Sequence, residues 1–338
     1  MLHDPLRAGV YLAPGIPQSF RVYAANIQKH FPELGVEVVP FTDAQSLPKT
    51  ADVLWDIRSG GGNAPLEFML GGPPLVVTVH GFAPITLSGW EYFRTVRGVL
   101  QARGFDREKF RAWDKLRDGV AALIAVSRFT RSEAVRYTGI EESRIAVCHH
   151  GVEAESFSPA ADTAPEPYFL HISNNEPRKN LDRVVRAFRR LRRTAPVELV
   201  LKLPEDQARH YQGIDGVRVI AGLLDTRDLA ELYRRALGFI FPSLYEGFGM
   251  PILEAMASGC PVITADLSAC PEVAGDAALL VNPRAVDAIQ DAMETLLRDE
   301  ATRVRLIQAG LERARQVDWK RSAACHAEVL RRSAGAAA

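Results

Sequence analysis

Phe241-Pro242-Ser243-Leu244-Tyr245-Glu246-Gly247-Phe248-Gly249-Met250-Pro251-Ile252-Leu253-Glu254-Ala255-Met256-Ala257 joins three kinds of local structure. The apolar run Gly238–Phe241 has the character of a buried strand. Gly247 and Gly249 break the stretch that follows and let the backbone turn tightly and approach a ligand. A helix is expected to begin near Pro251, because a proline's missing N–H is not needed in the first turn. The N–H groups left unpaired there, with their partial positive charge, suit a phosphate. Glu246 and Glu254 stand eight residues apart across the junction. Like charges repel, so neither should face a phosphate; hydroxyl groups are their natural partners.

Outward from this stretch, short Val/Ile/Leu-rich runs alternate with helix-length segments. In the first half they are Gly9–Ala13, Val36–Phe41, Val53–Ile57, Leu75–Val79, Ala122–Val126 and Ile145–Cys148. In the second they are Tyr168–Ile172, Glu198–Leu203, Val217–Ala221, Gly238–Phe241, Pro261–Thr264 and Ala278–Val281. Such runs indicate parallel sheets covered on both faces, so an α/β protein of two doubly wound, Rossmann-like domains is expected. Prolines and alanines without periodicity at Ser156–Pro167 mark the boundary. The expected division is 1–158, 167–316 and a terminal helical segment 317–338. Ligands of such sheets bind outside the carboxyl ends of the strands, which would form a cleft where two domains face each other.

The 338 residues suffice for two domains. Lysine plus arginine and aspartate plus glutamate both number 41, so no global charge points to nucleic acid. Cys148, Cys260, Cys270 and Cys325 show neither Cys-x-x-Cys nor zinc spacing, and reduced cysteines in a cytoplasmic protein are expected. The first residues carry no apolar signal core, and no run approaches the roughly 18 apolar residues that span a bilayer.

His171-Ile172-Ser173-Asn174-Asn175-Glu176-Pro177-Arg178-Lys179-Asn180 leaves the first strand of the second domain and starts a helix. Leu181, Val184, Val185, Phe188 and Leu191 recur at helical spacing, with Asn180 as the expected N-cap. Arg178 and Lys179 beyond a strand's carboxyl end would neutralise a diphosphate, the arginine bidentately and the lysine as a compact charge. The run from Arg186 to Arg193 reads as a solvated helix face.

The Glu246-to-Glu254 stretch resembles the Glu-x7-Glu signature of the retaining nucleotide-sugar glycosyltransferases of family 4, which have the GT-B fold. Pro177-Arg178-Lys179-Asn180-Leu181 matches one common form of the family's basic region. Many members place an arginine near Asn174; it is absent here, and Arg178 would substitute. The resemblance implies a retaining hexosyltransferase using a nucleoside diphosphate sugar. It implies catalytic roles for His80, Glu246, Lys179 and Arg178, with Glu246 at the donor sugar and Glu254 on the ribose. Gly15, Asn174, Leu223, Gly247, Phe248, Gly249, Met250 and Leu253 would complete the donor site, Leu223 in the loop along the base. The terminal helix would cross back onto the first domain.

His80 ends the apolar run Leu75–Val79, where the family often has a histidine near the donor sugar and acceptor. Gly15 closes the first run and would admit a backbone N–H, although the usual double glycine is missing. Ser127 is expected to cap the helix after it. Gly60–Gly62 reads as a loop, and the neighbours His149 and His150 as an unsuitable metal pair. No Asp-x-Asp occurs, and no metal or other cofactor is expected, Arg178, Lys179 and helix N-termini doing the neutralising. The acceptor would be a carbohydrate, a lipid-linked compound or a small molecule, in bacterial surface polysaccharide, glycolipid or natural-product glycosylation. The variants present look like the branch rich in mannosyl- and related transferases. GDP, UDP, ADP and dTDP all stay open as the nucleotide.

Between residues 93 and 117, eight basic residues face three acidic ones amid Phe93, Phe105, Phe110 and Trp113. This makes a candidate peripheral membrane face on the inner leaflet, against the alternative of an ordinary amphipathic helix. A nucleotide-sugar epimerase or a non-catalytic nucleotide-sugar-binding protein on the same fold are the rival functions. No Gly-x-Gly-x-x-Gly follows either domain's first strand, which argues against a dinucleotide dehydrogenase.

Overall fold

The computed structural model describes residues 4–160, 166–174 and 176–335, with side chains for all of these except Gln18 and residues 101–105. Two compact units divide the chain. Residues up to Trp90, Thr95–Gly151 and those from Trp319 onward form the first; Glu91–Arg94 and Val152–Asp318 form the second.

The first unit is built on β1 (Leu6–Tyr11), β2 (Val36–Phe41), β3 (Val53–Gly60), β4 (Leu75–Gly81), β5 (Val120–Ala125) and β6 (Ile145–Val147). Their order in the sheet is β2-β1-β3-β4-β5-β6, with every neighbouring pair parallel. Helices α1 (Gln18–Gln28), α2 (Ala83–Thr86), α3 (Gly89–Phe93), α4 (Val96–Leu116) and α5 (Arg128–Thr138) follow in chain order, α3 passing at Glu91 into the short segment that belongs to the second unit. Ser127 caps α5 as expected, its Oγ accepting the Thr130 N–H at 2.9 Å.

The second unit holds β7 (Glu166–Ile172), β8 (Glu198–Leu203), β9 (Val217–Ala221), β10 (Ala236–Phe241), β11 (Val262–Ala265) and β12 (Ala278–Val281). Its helices are α6 (Leu181–Leu191), α7 (Glu205–Ala208), α8 (Thr226–Arg235), α9 (Met250–Ala257), α10 (Cys270–Ala274), α11 (Val286–Arg298) and α12 (Glu300–Arg315). The parallel sheet runs β12-β11-β10-β7-β8-β9. The chain moves outward from β7 to β9, then returns to lay β10 on the other side of β7. That reversal opens a crevice at the carboxyl ends of β7 and β10. β10 is buried at all six positions because both faces are covered. The apolar stripe of α6 packs into the core with Leu199, Leu201 and Ile240, as its periodicity requires.

All twelve expected strands form, with ends displaced by three residues or fewer. β1 begins at Leu6 rather than Gly9 because parallel pairing with β2 already starts at Leu6↔Val36. The last helix, α13 (Trp319–Gly335), belongs to the first unit and buries Trp319, Ala323, His326, Ala327 and Leu330.

The expectation of four reduced cysteines is corrected: Cys148, just beyond β6, and Cys325 on α13 form a disulfide. Only Cys260 and Cys270 are free, and both are buried. The basic-aromatic face between residues 93 and 117 is also corrected in part. Trp113 points into the unit and donates from Nε1 to the Gly62 carbonyl at 3.0 Å, and Lys109 is buried with its Nζ on the Gly61 carbonyl. The side chains of Arg103 and Phe105 lie outside the described residues. Among the described residues, no helix is long and apolar enough to cross a membrane.

Candidate functional site

The carboxyl ends of β7 and β10 carry the two motifs singled out in the sequence. After β7 the chain passes through Ser173 and Asn174 into a tight turn at Pro177–Lys179, then into α6. After β10 it bends through Ser243–Gly249 before α9 starts at Met250, so Pro251 stands at the second helical position and not the first. Gly249 adopts φ +103°, a conformation only glycine takes without strain, and it turns the loop into the helix. The two segments are tied together, since the Leu244 N–H donates to the Arg178 carbonyl at 2.7 Å.

Glu246 is the centre of the assembly. Its Oε1 accepts from Lys179 Nζ at 2.7 Å and its Oε2 from Arg178 Nη1 at 3.2 Å. Its own N–H donates to Ser268 Oγ at 3.1 Å. Burial alone would raise the Glu246 carboxyl; Lys179 and then Arg178 outweigh burial and hold it below the ordinary carboxylate value. Arg178 is further engaged by Glu176 Oε2 at 2.5 Å and by the Tyr245 carbonyl at 3.2 Å. Lys179 lies over the Phe241 ring, 4.7 Å from its centroid. Burial lowers the Lys179 amine, opposed by Glu246. Asn174 is exposed and donates to Glu176 Oε1 at 2.5 Å, one partner removed from Arg178.

Glu254 lies on α9, and burial pushes its carboxyl up to about 7 against a hydrogen bond from Tyr233 Oη at 3.1 Å. Gly247 and Phe248 are buried beside Glu246 in the chain, and Met250 is partly exposed. Leu253 is fully buried in the core, whereas Leu223 is 87% exposed in the loop after β9.

In the first unit, Gly15 follows β1 with φ +85° and open space around its Cα. His80 is on β4. Its Nε2 donates to the Ile57 carbonyl at 2.8 Å and its ring stacks on Phe20 at 4.2 Å. Burial lowers its imidazole to about 4, against that hydrogen bond, so the ring is neutral at pH 7.

Asn180 is not the cap that its position suggests. It sits at φ 64° and makes no side-chain cap hydrogen bond. Its Nδ2 instead donates to the carbonyls of Pro242 at 3.0 Å and Pro283 at 2.7 Å, two buried prolines in the loops after β10 and β12, so that the amide serves buried backbone acceptors.

Residues 153–313 match the family model described as Glycosyl transferases group 1, and residues 57–156 match Glycosyltransferase Family 4. The chain belongs to the family 4-like glycosyltransferases. Among relatives of the chain, the O-antigen chain mannosyltransferase B of Escherichia coli is 33% identical over 226 residues, covering 60% of the chain and 58% of that protein. The chain thus spans just over half the length of that relative. The MMP alpha-(1->4)-mannosyltransferase of Mycolicibacterium hassiacum is 31% identical over 281 residues, 78% of this chain and 66% of the relative. The chain also shares its fold with sucrose-phosphate synthase from Thermosynechococcus elongatus, with a TM-score of 0.75, 18% identity, and coverage of 98% of this chain and 100% of the other. Anabaena HepE in complex with UDP and glucose gives 0.70 at 16% identity, covering 97% and 99%. These neighbours bear out the α/β, GT-B class of two Rossmann-like domains.

The sequence did not point to Tyr233, Ser268 or Glu176. Tyr233 occupies the apolar face of α8 and reads as core; Ser268 reaches Glu246 from a loop at φ 57°. Only Glu176 offered a signal, as an acid two residues from the arginine it binds.

Proposed function

We propose that this glycosyltransferase moves a hexose, mannose or a close relative, from a nucleoside diphosphate to an acceptor hydroxyl with retention at the anomeric carbon. The observation that carries the reading is the convergence of Arg178, Lys179 and Glu246 at the reversal point of the second sheet, beside the N-terminus of α9. Arg178 and Lys179 would take the diphosphate and stabilise it as it leaves, the main task with an oxocarbenium-like transition state. Glu246 would then hold sugar hydroxyls and Glu254 the ribose. The bond from the anomeric carbon to the phosphate oxygen breaks, and a bond to the acceptor oxygen forms on the same face. The acceptor proton passes to the departing phosphate oxygen. His80 is the acceptor-side candidate.

The two mannosyltransferase relatives support mannose, and HepE, crystallised with UDP and glucose, supports a nucleotide-sugar donor on this fold. The chain's own cations support transfer without a divalent metal. The acceptor is a carbohydrate, a lipid-linked compound or a small molecule of bacterial surface polysaccharide, glycolipid or natural-product synthesis.

Thermal shifts with UDP, GDP, ADP and dTDP test the reading, since a ligand of the native state raises apparent stability as ln(1 + [L]/Kd). One nucleotide should raise the melting temperature by several degrees, and its mannose or glucose conjugate should then be consumed, in the presence of EDTA, only when an acceptor is added. Turnover without acceptor would instead indicate epimerase-like chemistry, and no shift with any nucleotide would remove the donor site.

A further inference from the structure

We propose that Tyr233 is a positioning residue that sets the donor site's selectivity for a ribose diol by fixing the carboxylate of Glu254. The inference rests on the reading of Glu254 as the ribose ligand. Tyr233 is fully buried on α8, and its hydroxyl donates to Glu254 Oε2 at 3.1 Å. Its ring is held on two sides, edge-on to Phe239 of β10 at 5.2 Å and edge-on to Phe157 at 6.1 Å. The end of α8 is pinned as well. Arg234 donates to the carbonyls of Ser158 at 2.6 Å and Ser156 at 3.2 Å, and Tyr168 Oη donates to the Leu232 carbonyl at 2.8 Å. The phenol therefore has one direction available to it.

The terminal torsion of a glutamate is broad and nearly two-fold, so helix geometry alone does not aim the carboxylate plane. A fixed donor on Oε2 does. A carboxylate has about four acceptor positions; the phenol takes one and leaves Oε1 in a set direction for the vicinal hydroxyls of a ribose. Burial pushes the phenol's ionisation far upward, so it stays protonated and is the donor whenever Glu254, whose carboxyl burial raises to about 7, is ionised. Sites built to hydrogen-bond a hydroxyl discriminate strongly against analogues that lack it.

Isothermal titration tests this with UDP, GDP and ADP, each beside its 2′,3′-dideoxy form, on the parent and on Tyr233→Phe. The parent should bind one ribonucleotide better than its dideoxy form. Tyr233→Phe keeps the ring between Phe157 and Phe239 and should bind that ribonucleotide roughly tenfold more weakly, the worth of a hydrogen bond to a charged group, with binding of the dideoxy form unchanged. In a Glu254→Gln background the same substitution should no longer alter the ratio. If Tyr233→Phe weakens both forms equally, or leaves the parental preference intact, the assignment of Tyr233 is overturned. If the parent itself binds both forms equally, the ribose reading of Glu254 fails first and the inference falls with it.

Discussion

Lys179 Nζ and Glu246 Oε1 lie 2.7 Å apart, and Arg178 closes the other carboxylate oxygen at 3.2 Å. With Glu176 on Arg178 as well, two cations meet two carboxylates, and the charge of the site cancels internally. A diphosphate must therefore compete with Glu246 for Lys179 and Arg178, and the carboxylate it displaces becomes available to sugar hydroxyls.

Glu246→Gln should separate those two roles. Without the competing charge, the bare nucleoside diphosphate should bind more tightly, by about tenfold given the strength of charge-assisted hydrogen bonds. Sugar transfer should fall by about 100-fold or more, the scale on which loss of one transition-state contact is felt. Calorimetry with the nucleotide and a coupled transfer assay read the two separately. Affinity and transfer falling together would mean that Glu246 helps bind the nucleotide rather than competing with it.

His326 gives a prediction about acid stability. It is fully buried on α13, with Nδ1 donating to the Ser322 carbonyl at 2.7 Å and Nε2 accepting from Tyr23 Oη. Both ring nitrogens are thus used by the neutral form, and burial lowers the imidazole from 6.5 to about 4. The unfolded chain takes up the proton first as pH falls. The stability this histidine contributes is complete above about 6.5 and is lost as pH drops toward 4, on the order of 3 kcal/mol in all. Asp56, raised by burial to about 6, acts in the opposite sense, so the comparison between parent and variant is the informative one. Urea unfolding at pH 8 and pH 4.5 should show a smaller acid loss for His326→Gln than for the parent. Equal losses would exclude His326 as a source of the acid sensitivity.

Much of this architecture was readable because it depends on local patterns. The apolar runs of β10 and the stripe Leu181-Val184-Val185-Phe188-Leu191 are consecutive or helically spaced, and each forms as expected. Gly249 was readable too, since a glycine just before a helix in a loop has few other uses. What escaped depends on the sheet's crossover. Tyr233 and Glu254 are separated by a strand and a loop, and nothing in either segment tells which face of α8 looks onto α9. Asn180 misled because an asparagine before a helix is usually a cap; here distant carbonyls compete for its amide and win. Cys148 and Cys325, 177 residues apart, are joined only by the return of α13 to the first unit.

That disulfide carries its own expectation. It closes a long loop and fastens α13 to the end of β6, so reduction should cost about 2–4 kcal/mol of stability to unfolding. Cys325→Ser should melt lower than the oxidised parent and match the reduced parent. Mass spectrometry after alkylation should find two blocked thiols without reductant and four with it, because Cys260 and Cys270 remain thiols. Four alkylated thiols in the unreduced, denatured chain would show that the bond does not form.

Asn180 offers a test of how the cations are held in place. Both hydrogens of its amide are used, on Pro242 O and Pro283 O, while Oδ1 accepts from Arg183 Nη1 at 2.8 Å. Its φ of 64° is one that asparagine and glycine tolerate and alanine resists. Asn180→Gly therefore keeps the backbone conformation but takes the amide donor from the carbonyls of two buried prolines and the acceptor from Arg183, at a cost of roughly 2–4 kcal/mol. Asn180→Ala should be worse by about 1 kcal/mol, the expense of a left-handed conformation for a side chain with a Cβ. Asn180→Asp should be the least stable of the three despite its matching shape, because it turns a carboxylate oxygen toward acceptors that need a donor. Since Pro242 leads into the Glu246 loop and Lys179 directly precedes Asn180, all three variants should also lose donor affinity in the order of their lost stability. Chemical denaturation and nucleotide titration give the two rankings. An Asn180→Asp protein as stable as the parent would mean that the amide does not bridge the loops.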